Sequence, residues 1–209
     1  MDQAAWKRLE MEAELRIALE RQQFELYYQP ILDLDSGAVS ELEALVRWDH
    51  PTRGLLPPDE FIPLAEQTGL IVPLGAWVLD HACQRLASWE AEDEGFPPLR
   101  VSVNLSPRQL REPELPKRVA EVLARSALDP HRLTLEVTEI SVVDDLGAAD
   151  ATLQELRALG VHIAVDYFGT GFAAVRATTS QSRSSRTASS RSSVPARRRH
   201  CTAIATAKS

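Results

Sequence analysis

Short strand-like segments alternate with longer helix-like segments from residue 24 to residue 168, and this order narrows the choice of folds more than the composition does. Alternating apolar and polar side chains predict strands at residues 24–34 (broken by Pro30), 39–48, 100–106, 133–139 and 161–168. Helical spacing predicts helices at residues 3–22, 58–68, 73–92, 113–126 and 146–158. Repeated strand–helix units indicate parallel strands covered by helices, and the two leading strands indicate one antiparallel member. The predicted class is therefore α/β.

The later strands each have one apolar face and one face with small polar or acidic side chains near the C-terminal end. In the strand at 100–106, Val101, Val103 and Leu105 share one face, whereas Asn104 lies on the other. This arrangement suits a barrel, because apolar residues face the helices and functional groups line the rim. An open doubly wound sheet is the structural alternative, but no glycine-rich phosphate loop follows the first strand to support a dinucleotide-binding version.

The net charge of −7 conceals two very different parts of the chain. Residues 177–209 hold seven of the 23 basic residues and no acidic ones, which leaves 16 basic against 30 acidic residues, a net of −14, in residues 1–176. Such an acidic body argues against nonspecific binding of DNA or RNA. An anionic ligand would need local positive charge, and bound divalent metal ions are the usual source.

The sequence contains no long apolar segment. Since no apolar run reaches the roughly 18 residues that a membrane span needs, no transmembrane helix is expected. The first 20 residues are charged throughout and lack the apolar core of a signal peptide, so a cytoplasmic location is expected. The two cysteines, Cys83 and Cys201, have no metal-ligand spacing and are interpreted as a buried helix thiol and a tail thiol.

Four oxygen-bearing side chains occupy corresponding places on four predicted strands: Glu43, Asn104, Glu136 and Asp166. Three carboxylates and one amide form a hard, oxygen-only set that suits Mg²⁺ or Mn²⁺, and no His/Cys set for zinc accompanies them. Each residue also has an ordinary structural interpretation, since acids at strand ends commonly face water or cap a helix, and Asn104 also fits a cap of the turn at Ser106. The four residues alone leave both interpretations open.

Seven short motifs follow one another between residues 28 and 171. They are Tyr28-Gln29-Pro30-Ile31, Glu43-Ala44-Leu45-Val46-Arg47-Trp48, 61–66 (FIPLAE), 68–71 (TGLI), Val103-Asn104-Leu105-Ser106, 135–139 (LEVTE) and 165–171 (VDYFGTG). The tripeptide Glu-Ala-Leu is common by itself, but the order and spacing of the whole series resemble those of the EAL domain family. The resemblance covers about residues 10–175.

The resemblance implies a fold and a chemistry. The implied fold is a modified TIM-like (β/α)8 barrel with one antiparallel strand, of which this chain supplies about five strands. The implied chemistry is hydrolysis of one phosphodiester of cyclic di-GMP, which gives linear pGpG. In the family, two divalent ions, Mg²⁺ or Mn²⁺, activate the attacking water and clamp the attacking and leaving oxygens.

The resemblance also assigns roles to individual residues. The implied metal ligands are Glu43, Asn104, Glu136 and Asp166. The implied substrate contacts are Gln29, Leu45 and Arg47, of which Arg47 can form charge-assisted hydrogen bonds with a phosphate. The implied catalytic residues are Glu43 and Glu139, and Glu139 orders the loop after Asp166, which the family uses in metal binding and dimer coupling. A homodimer is therefore compatible with the sequence.

The chain departs from the family pattern at several positions. Tyr167 stands where the family usually has a second aspartate, and a phenol with an ordinary pKa near 10 does not readily replace a carboxylate ligand, so the second metal is not assured. The later catalytic Lys, metal-linked Glu and substrate-contacting Gln of the family have no counterparts among residues 177–209. We therefore expect the 209-residue chain to be inactive and poorly folded alone.

The predicted organisation has three parts. Residues 1–22 form a helix compatible with a linker from an upstream domain, residues 23–176 form a partial EAL domain, and residues 177–209 form a Ser/Arg-rich tail that is either disordered or read out of frame. Three functions stay open: a phosphodiesterase domain that is damaged here, a non-catalytic module that binds cyclic di-GMP or a protein partner, and a non-functional remnant.

Overall fold

The computed structural model describes residues 3–93, 95–138 and 148–166. Within them, the strands are β1 (Phe24–Leu32), β2 (Val39–His50), β3 (Gly54–Leu56), β4 (Arg100–Leu105), β5 (Leu133–Thr138) and β6 (His162–Asp166). The helices are α1 (Gln3–Glu20), α2 (Pro58–Thr68), α3 (Ile71–Glu92), α4 (Pro107–Leu110), α5 (Leu115–Ser126) and α6 (Ala148–Ala158), with a 3₁₀ turn at Pro130–Arg132. The predicted Glu139, Tyr167 and tail 177–209 lie outside the described residues.

The strands form one mixed sheet in the order β1-β2-β4-β5-β6, and β3 pairs only with β2. The pairs β1/β2 and β2/β3 are antiparallel, whereas β2/β4, β4/β5 and β5/β6 are parallel. The prediction of parallel strands with an antiparallel leading strand is therefore confirmed. The pairing β2–β4 skips two helices, α2 and α3, which is the crossover that a parallel connection requires.

Two details of the sheet differ from the sequence prediction. Strand β1 does not break at Pro30, because Pro30 pairs in register with Leu42. Proline is tolerated on a strand that is an edge, and β1 is an edge among the described residues. Strand β3 was not predicted, because its three residues are too few to show a period of two.

The apolar face of the sheet packs against the helices and forms the core. Val101, Val103, Leu133 and Leu135 are fully buried, and they belong to one continuous cluster with the inner faces of α3 and α5. These residues alternate along β4 and β5 with polar side chains, as the period of a strand requires. The predicted division into an apolar and a polar face is therefore observed for β4 and β5.

An aromatic cluster joins the first two strands to the helices. The Phe24 ring lies 5.9 Å, centroid to centroid, from each of the rings of Trp48, Phe61 and Trp77. These partners come from β2, α2 and α3, so one side chain of β1 connects four elements. Aromatic pairs at this separation contribute beyond their buried area.

The N-terminal helix α1 is docked on the domain. Leu15 and Ala18 are fully buried in the common core. Glu14 Oε2 accepts a hydrogen bond of 2.8 Å from Arg53 Nη2, and it lies 3.3 Å from Nε2 of the buried His50 at the end of β2. The other His50 nitrogen, Nδ1, accepts backbone N–H groups from Thr52 and Arg53. Helix α1 is therefore tied to the strand that carries Glu43.

No helix in the described ranges has the length and apolar character that spanning a bilayer demands.

Candidate functional site

The polar face of the sheet gathers the predicted site residues from neighbouring strands. Across the sheet, Gln29 on β1 pairs with Glu43 on β2, and Glu43 pairs with Ser102 on β4. Two residues further along β4, Asn104 pairs with Glu136 on β5. Side chains directly opposite one another share a face, so these groups project to the side of the sheet away from the packed core.

A direct contact joins two of the predicted metal ligands. The Asn104 amide Nδ2 donates a hydrogen bond of 3.0 Å to Glu43 Oε1. The two residues are 61 positions apart in the sequence and lie on adjacent parallel strands. This bond leaves the amide oxygen Oδ1 without a hydrogen-bond donor from the described residues. The structural interpretation of Asn104 as a cap at Ser106 is wrong, because Ser106 caps its own helix.

Glu136 lies directly opposite Asn104 and is only 6% exposed. Together with Glu43 it places two carboxylates beside one amide on three adjacent strands. This donor set consists of oxygens only, which fits a hard cation such as Mg²⁺ or Mn²⁺.

The fourth predicted ligand lies on the next strand. Asp166 is the last residue of β6 and pairs in register with Thr138. This pair lies two residues beyond the pair of Glu136 and Ala164. The backbone register thus continues the row toward the C-terminal ends of the strands. The Asp166 side chain and Glu139 are outside the described residues. Among the side chains that are described, no three His, Cys, Asp or Glu groups come together.

The three predicted substrate contacts lie along the β1–β2 edge of the same face. Gln29 is exposed and opposite Glu43, whereas Leu45 is half-buried and opposite Tyr27. The guanidinium carbon of Arg47 lies over the Tyr27 ring, 5.7 Å from its centroid, and Arg47 Nη1 donates to the Val46 carbonyl at 2.9 Å. The structure therefore brings Gln29, Leu45 and Arg47 into one row beside Glu43. Tyr27 was missed in the sequence, because only the cross-strand register places it there.

A capping box fixes the turn that follows Asn104. The Ser106 hydroxyl accepts the Gln109 N–H at 3.2 Å, and the Gln109 side-chain oxygen accepts the Ser106 N–H at 3.1 Å. Gln109 is 4% exposed and lies against Gly75 of α3, where an added Cβ would come within 1.8 Å of Gln109 Nε2. The sequence Ser-x-x-Gln before an apolar residue is a signal that could have found this box.

A cavity of about 470 Å³ lies elsewhere. It is lined by Phe24, Leu26 and Tyr28 of β1 together with Trp77 and Arg85 of α3. These β1 residues alternate with the polar-face residues, so the cavity opens on the helix side of the sheet. Burial strongly raises the pKa of the Tyr28 hydroxyl, which keeps it neutral. The oxygen donors and Arg47 lie on the opposite, polar face of the sheet.

Curated relatives match most of the chain. A bifunctional diguanylate cyclase/cyclic di-GMP phosphodiesterase, MucR of Pseudomonas aeruginosa, is 43% identical over 175 residues, which are 84% of this chain and 25% of MucR. The cyclic di-GMP phosphodiesterase NbdA of the same organism is 46% identical over 171 residues, 82% of this chain and 22% of NbdA. An uncharacterized signaling protein of Caulobacter vibrioides is 47% identical over 175 residues, 84% of this chain and 21% of its own length. The chain thus spans about a quarter or less of these relatives.

Solved structures share the fold. A complex of the PaMucR phosphodiesterase with c-di-GMP has a TM-score of 0.72 and 43% identity, and the match covers 78% of this chain and 66% of that one. The EAL enzyme Bd1971 in its cAMP- and cyclic-di-GMP-bound form has a TM-score of 0.73 and 29% identity, covering 82% and 47%. The sequence model of the EAL domain matches residues 12–180. The chain belongs to the EAL domain family.

Proposed function

We propose that this chain carries a metal-dependent cyclic di-GMP site of the EAL phosphodiesterase type. The observation that carries the proposal is the 3.0 Å hydrogen bond between Asn104 and Glu43 on a face that also holds Glu136. The names of MucR and NbdA, which state cyclic di-GMP phosphodiesterase activity, and the c-di-GMP complex of PaMucR support the choice of ligand.

Glu43, Asn104 and Glu136 fit a divalent cation, with Asp166 as a further ligand. The fit rests on the donors, which are all oxygens, and on the free side of the Asn104 amide that faces away from Glu43. When bound, Mg²⁺ or Mn²⁺ would supply charge neutralisation of the phosphodiester and activation of a water. Tyr167 in place of an aspartate leads us to propose that a second ion is held weakly or not at all.

The remaining residues of the row would bind and orient the dinucleotide. Arg47 has no ion-pair partner among the described residues, so its charge is available to a phosphate. Gln29 offers both a donor and an acceptor at the exposed end of the row, and Leu45 offers apolar contact between them. Glu43 would keep the metal and the Asn104 amide in place. We propose that Glu139 orders the loop after Asp166.

The acidic body makes this local arrangement necessary. With a net charge of −14 over residues 1–176, an anionic dinucleotide would be repelled unless Arg47 and a bound cation reverse the sign at the site. We therefore propose that binding depends strongly on divalent metal. A chelator should weaken it more than added salt does.

We further propose that the 209-residue chain does not turn over cyclic di-GMP at a rate typical of an enzyme. Residues 177–209 hold no counterpart of the family's later Lys, Glu and Gln, and Tyr167 alters the motif after Asp166. The same Tyr167 favours a second candidate function, a module that binds cyclic di-GMP or a protein partner without cleaving it.

Product analysis tests the proposed function. The purified chain, first shown by circular dichroism to melt cooperatively, is incubated with cyclic di-GMP and Mg²⁺ or Mn²⁺, and pGpG is quantified by chromatography. We expect binding without appreciable pGpG. Rapid metal-dependent formation of pGpG that is lost in Glu43→Gln but kept in the exposed control Glu114→Gln would establish an active enzyme and overturn the inactivity.

The sequence also supports proposals about domain boundaries, cellular location and oligomeric state. We propose that residues 23–176 form the EAL domain, that residues 1–22 form a helix compatible with a linker, and that residues 177–209 are a Ser/Arg-rich tail. We also propose a cytoplasmic location and a homodimer coupled through the loop after Asp166. Size-exclusion chromatography with light scattering, with and without cyclic di-GMP, tests the homodimer.

A further inference from the structure

Tyr27 lies at the centre of the row proposed to contact the ligand. In the β1–β2 register Tyr27 is opposite Leu45, and Gln29, two residues along the same face of β1, is opposite Glu43. Arg47 lies two residues beyond Leu45, diagonal to Tyr27, and its guanidinium carbon is 5.7 Å from the centre of the ring. Diagonal neighbours on a sheet are within reach when one side chain is aromatic and the other is long.

The ring is the main side-chain contact that holds the Arg47 guanidinium. Arg47 Nη1 donates to the carbonyl of its neighbour Val46, and this bond uses one of the five N–H donors. Glu25 is opposite Arg47 in the register, yet no carboxylate in the described ranges forms an ion pair with it. The guanidinium is thus held by an aromatic ring rather than by an acid.

This choice of neighbour has a chemical consequence. A carboxylate beside Arg47 would neutralise its charge and occupy its donors, whereas an aromatic ring attracts the cation and leaves in-plane N–H groups for an anion. We propose that Tyr27 is a positioning residue that holds Arg47 ready for a phosphodiester oxygen of the ligand. This inference rests on the proposed function, because it assumes that Arg47 meets the phosphate of cyclic di-GMP.

A double-mutant cycle tests the positioning role. Cyclic di-GMP binding is measured by calorimetry, with Ca²⁺ in place of Mg²⁺, for the full chain and for Tyr27→Leu, Tyr27→Phe, Arg47→Ala and Tyr27→Leu/Arg47→Ala. Tyr27→Leu should weaken affinity about threefold to tenfold, and Tyr27→Phe, which keeps the ring, should bind within about twofold of the parent. In the Arg47→Ala background, Tyr27→Leu should cause no further loss.

Two outcomes of the cycle overturn the inference. If Tyr27→Leu binds as the parent does, the ring does not position Arg47. If the loss is the same with and without Arg47, Tyr27 acts on its own through packing or base stacking. Two controls distinguish a positioning role from a loss of folding. Tyr27→Phe keeps the ring, and the melting temperature of every variant is measured by circular dichroism.

A ligand-free measurement separates this inference from the proposed function. The proton resonance of the Arg47 Nε–H group is recorded by NMR, because a nearby aromatic ring shifts it through its ring current. The shift should be present in the parent and in Tyr27→Phe and be lost in Tyr27→Leu. If the parent fails to bind cyclic di-GMP but shows this pattern, the contact stands and the proposed function falls; identical resonances in all three chains overturn the contact itself.

Discussion

At the scale of single residues, the proposed metal site depends on the contact between Asn104 and Glu43. One amide hydrogen bond joins a strand near the start of the domain to a strand 61 residues later and turns the Asn104 oxygen away from the carboxylate. The bond thus orients one proposed ligand with another. Loss of such supporting contacts typically lowers metal affinity about tenfold to a hundredfold.

Replacing Asn104 by aspartate should show whether a divalent metal ion binds at this site, and the test does not require catalytic turnover. Asn104→Asp puts a second carboxylate where a donor now lies 3.0 Å from Glu43 Oε1, and like charges so close destabilise each other. In EDTA the variant should melt below the parent, and Ca²⁺ or Mg²⁺ should raise its melting temperature by more than that of the parent. The melting temperatures are measured by circular dichroism with chelator and with metal.

Asn104→Ala is the companion variant. It removes both the hydrogen bond to Glu43 and the amide oxygen, so metal-dependent affinity for cyclic di-GMP should fall about tenfold to a hundredfold. If Asn104→Asp melts as the parent does in EDTA and gains nothing from divalent ions, the Asn104–Glu43 pair is not a metal site.

Local motifs were sufficient to predict which residues share the polar face, whereas a neighbour that depends on register was missed. The role of these residues as ligands stays a prediction. Glu43, Asn104 and Glu136 were predicted from the motifs that contain them, and the structure places them on one face of adjacent strands. Tyr27 gives no local signal, because its role depends on the position of Arg47 across the β1–β2 pair. Gln109 carries the local signature of a capping box, but its contact with Gly75 depends on how α4 packs on α3.

At the scale of elements, the helices hold the site strands in place. Helix α4 begins directly after β4, and its capping box turns the chain two residues beyond Asn104. The box is buried against α3 at Gly75, where only a glycine leaves room for the Gln109 side chain. The position of Asn104 is therefore coupled to the packing of two helices.

Substitution of Gly75 tests this coupling, because its effect on the free energy of unfolding should change sign when the Gln109 side chain is removed. Gly75→Ala should destabilise the chain by about 1–3 kcal/mol, since the new methyl group displaces the buried end of Gln109 and breaks the box. In a Gln109→Ala background the same substitution should be neutral or stabilising by up to about 1 kcal/mol, because alanine is the better helix former. Urea unfolding of the four chains measures both values, and equal costs in the two backgrounds would contradict the steric explanation.

Helix α1 is the second element whose role becomes clear only from the structure. The sequence predicted its extent within two residues but could not show whether it packs on the domain, since its apolar residues are spread around the helix. The burial of Leu15 and Ala18 and the contacts of Glu14 with His50 and Arg53 show that it does. The extent of β3 was beyond prediction, because three residues show no periodicity.

A pair of leucines on α1 tests its contribution to stability. Leu15→Ala should lower the free energy of unfolding by about 2–5 kcal/mol, because Leu15 is fully buried in the core. Leu9→Ala, on the same helix but 54% exposed, should change it by less than about 0.5 kcal/mol. Chemical denaturation followed by circular dichroism gives both values. A similar small effect for both variants would show that α1 is not part of the folded unit in solution.

At the scale of the whole molecule, the sheet separates two environments. One face is a dry apolar core against α3 and α5, and the other carries the carboxylates, the amide and Arg47. The α/β class and the mixture of parallel strands with one antiparallel strand were predictable, because alternation of side chains and strand–helix repetition depend on local sequence. The cavity of about 470 Å³ was not predicted, and it lies on the helix side of β1, away from the proposed chemistry.

The net charge links the whole molecule to its site. A body with a net charge of −14 over residues 1–176 would repel a dinucleotide with two phosphates. Binding then depends on the few positions where the sign is reversed, which are Arg47 and the proposed cation beside Glu43. The proposed function therefore requires that binding of cyclic di-GMP depend on a divalent metal ion.

The most direct test is a calorimetric titration of the folded chain with cyclic di-GMP, in Ca²⁺ and in EDTA, together with Glu43→Gln and the exposed control Glu114→Gln. The account predicts micromolar binding in Ca²⁺ that EDTA abolishes, a loss of at least about tenfold in Glu43→Gln, and no change in Glu114→Gln. Binding of equal strength in EDTA, or in Glu43→Gln, would contradict a metal-dependent site at Glu43. Absence of binding by the cooperatively folded parent would contradict the proposed ligand.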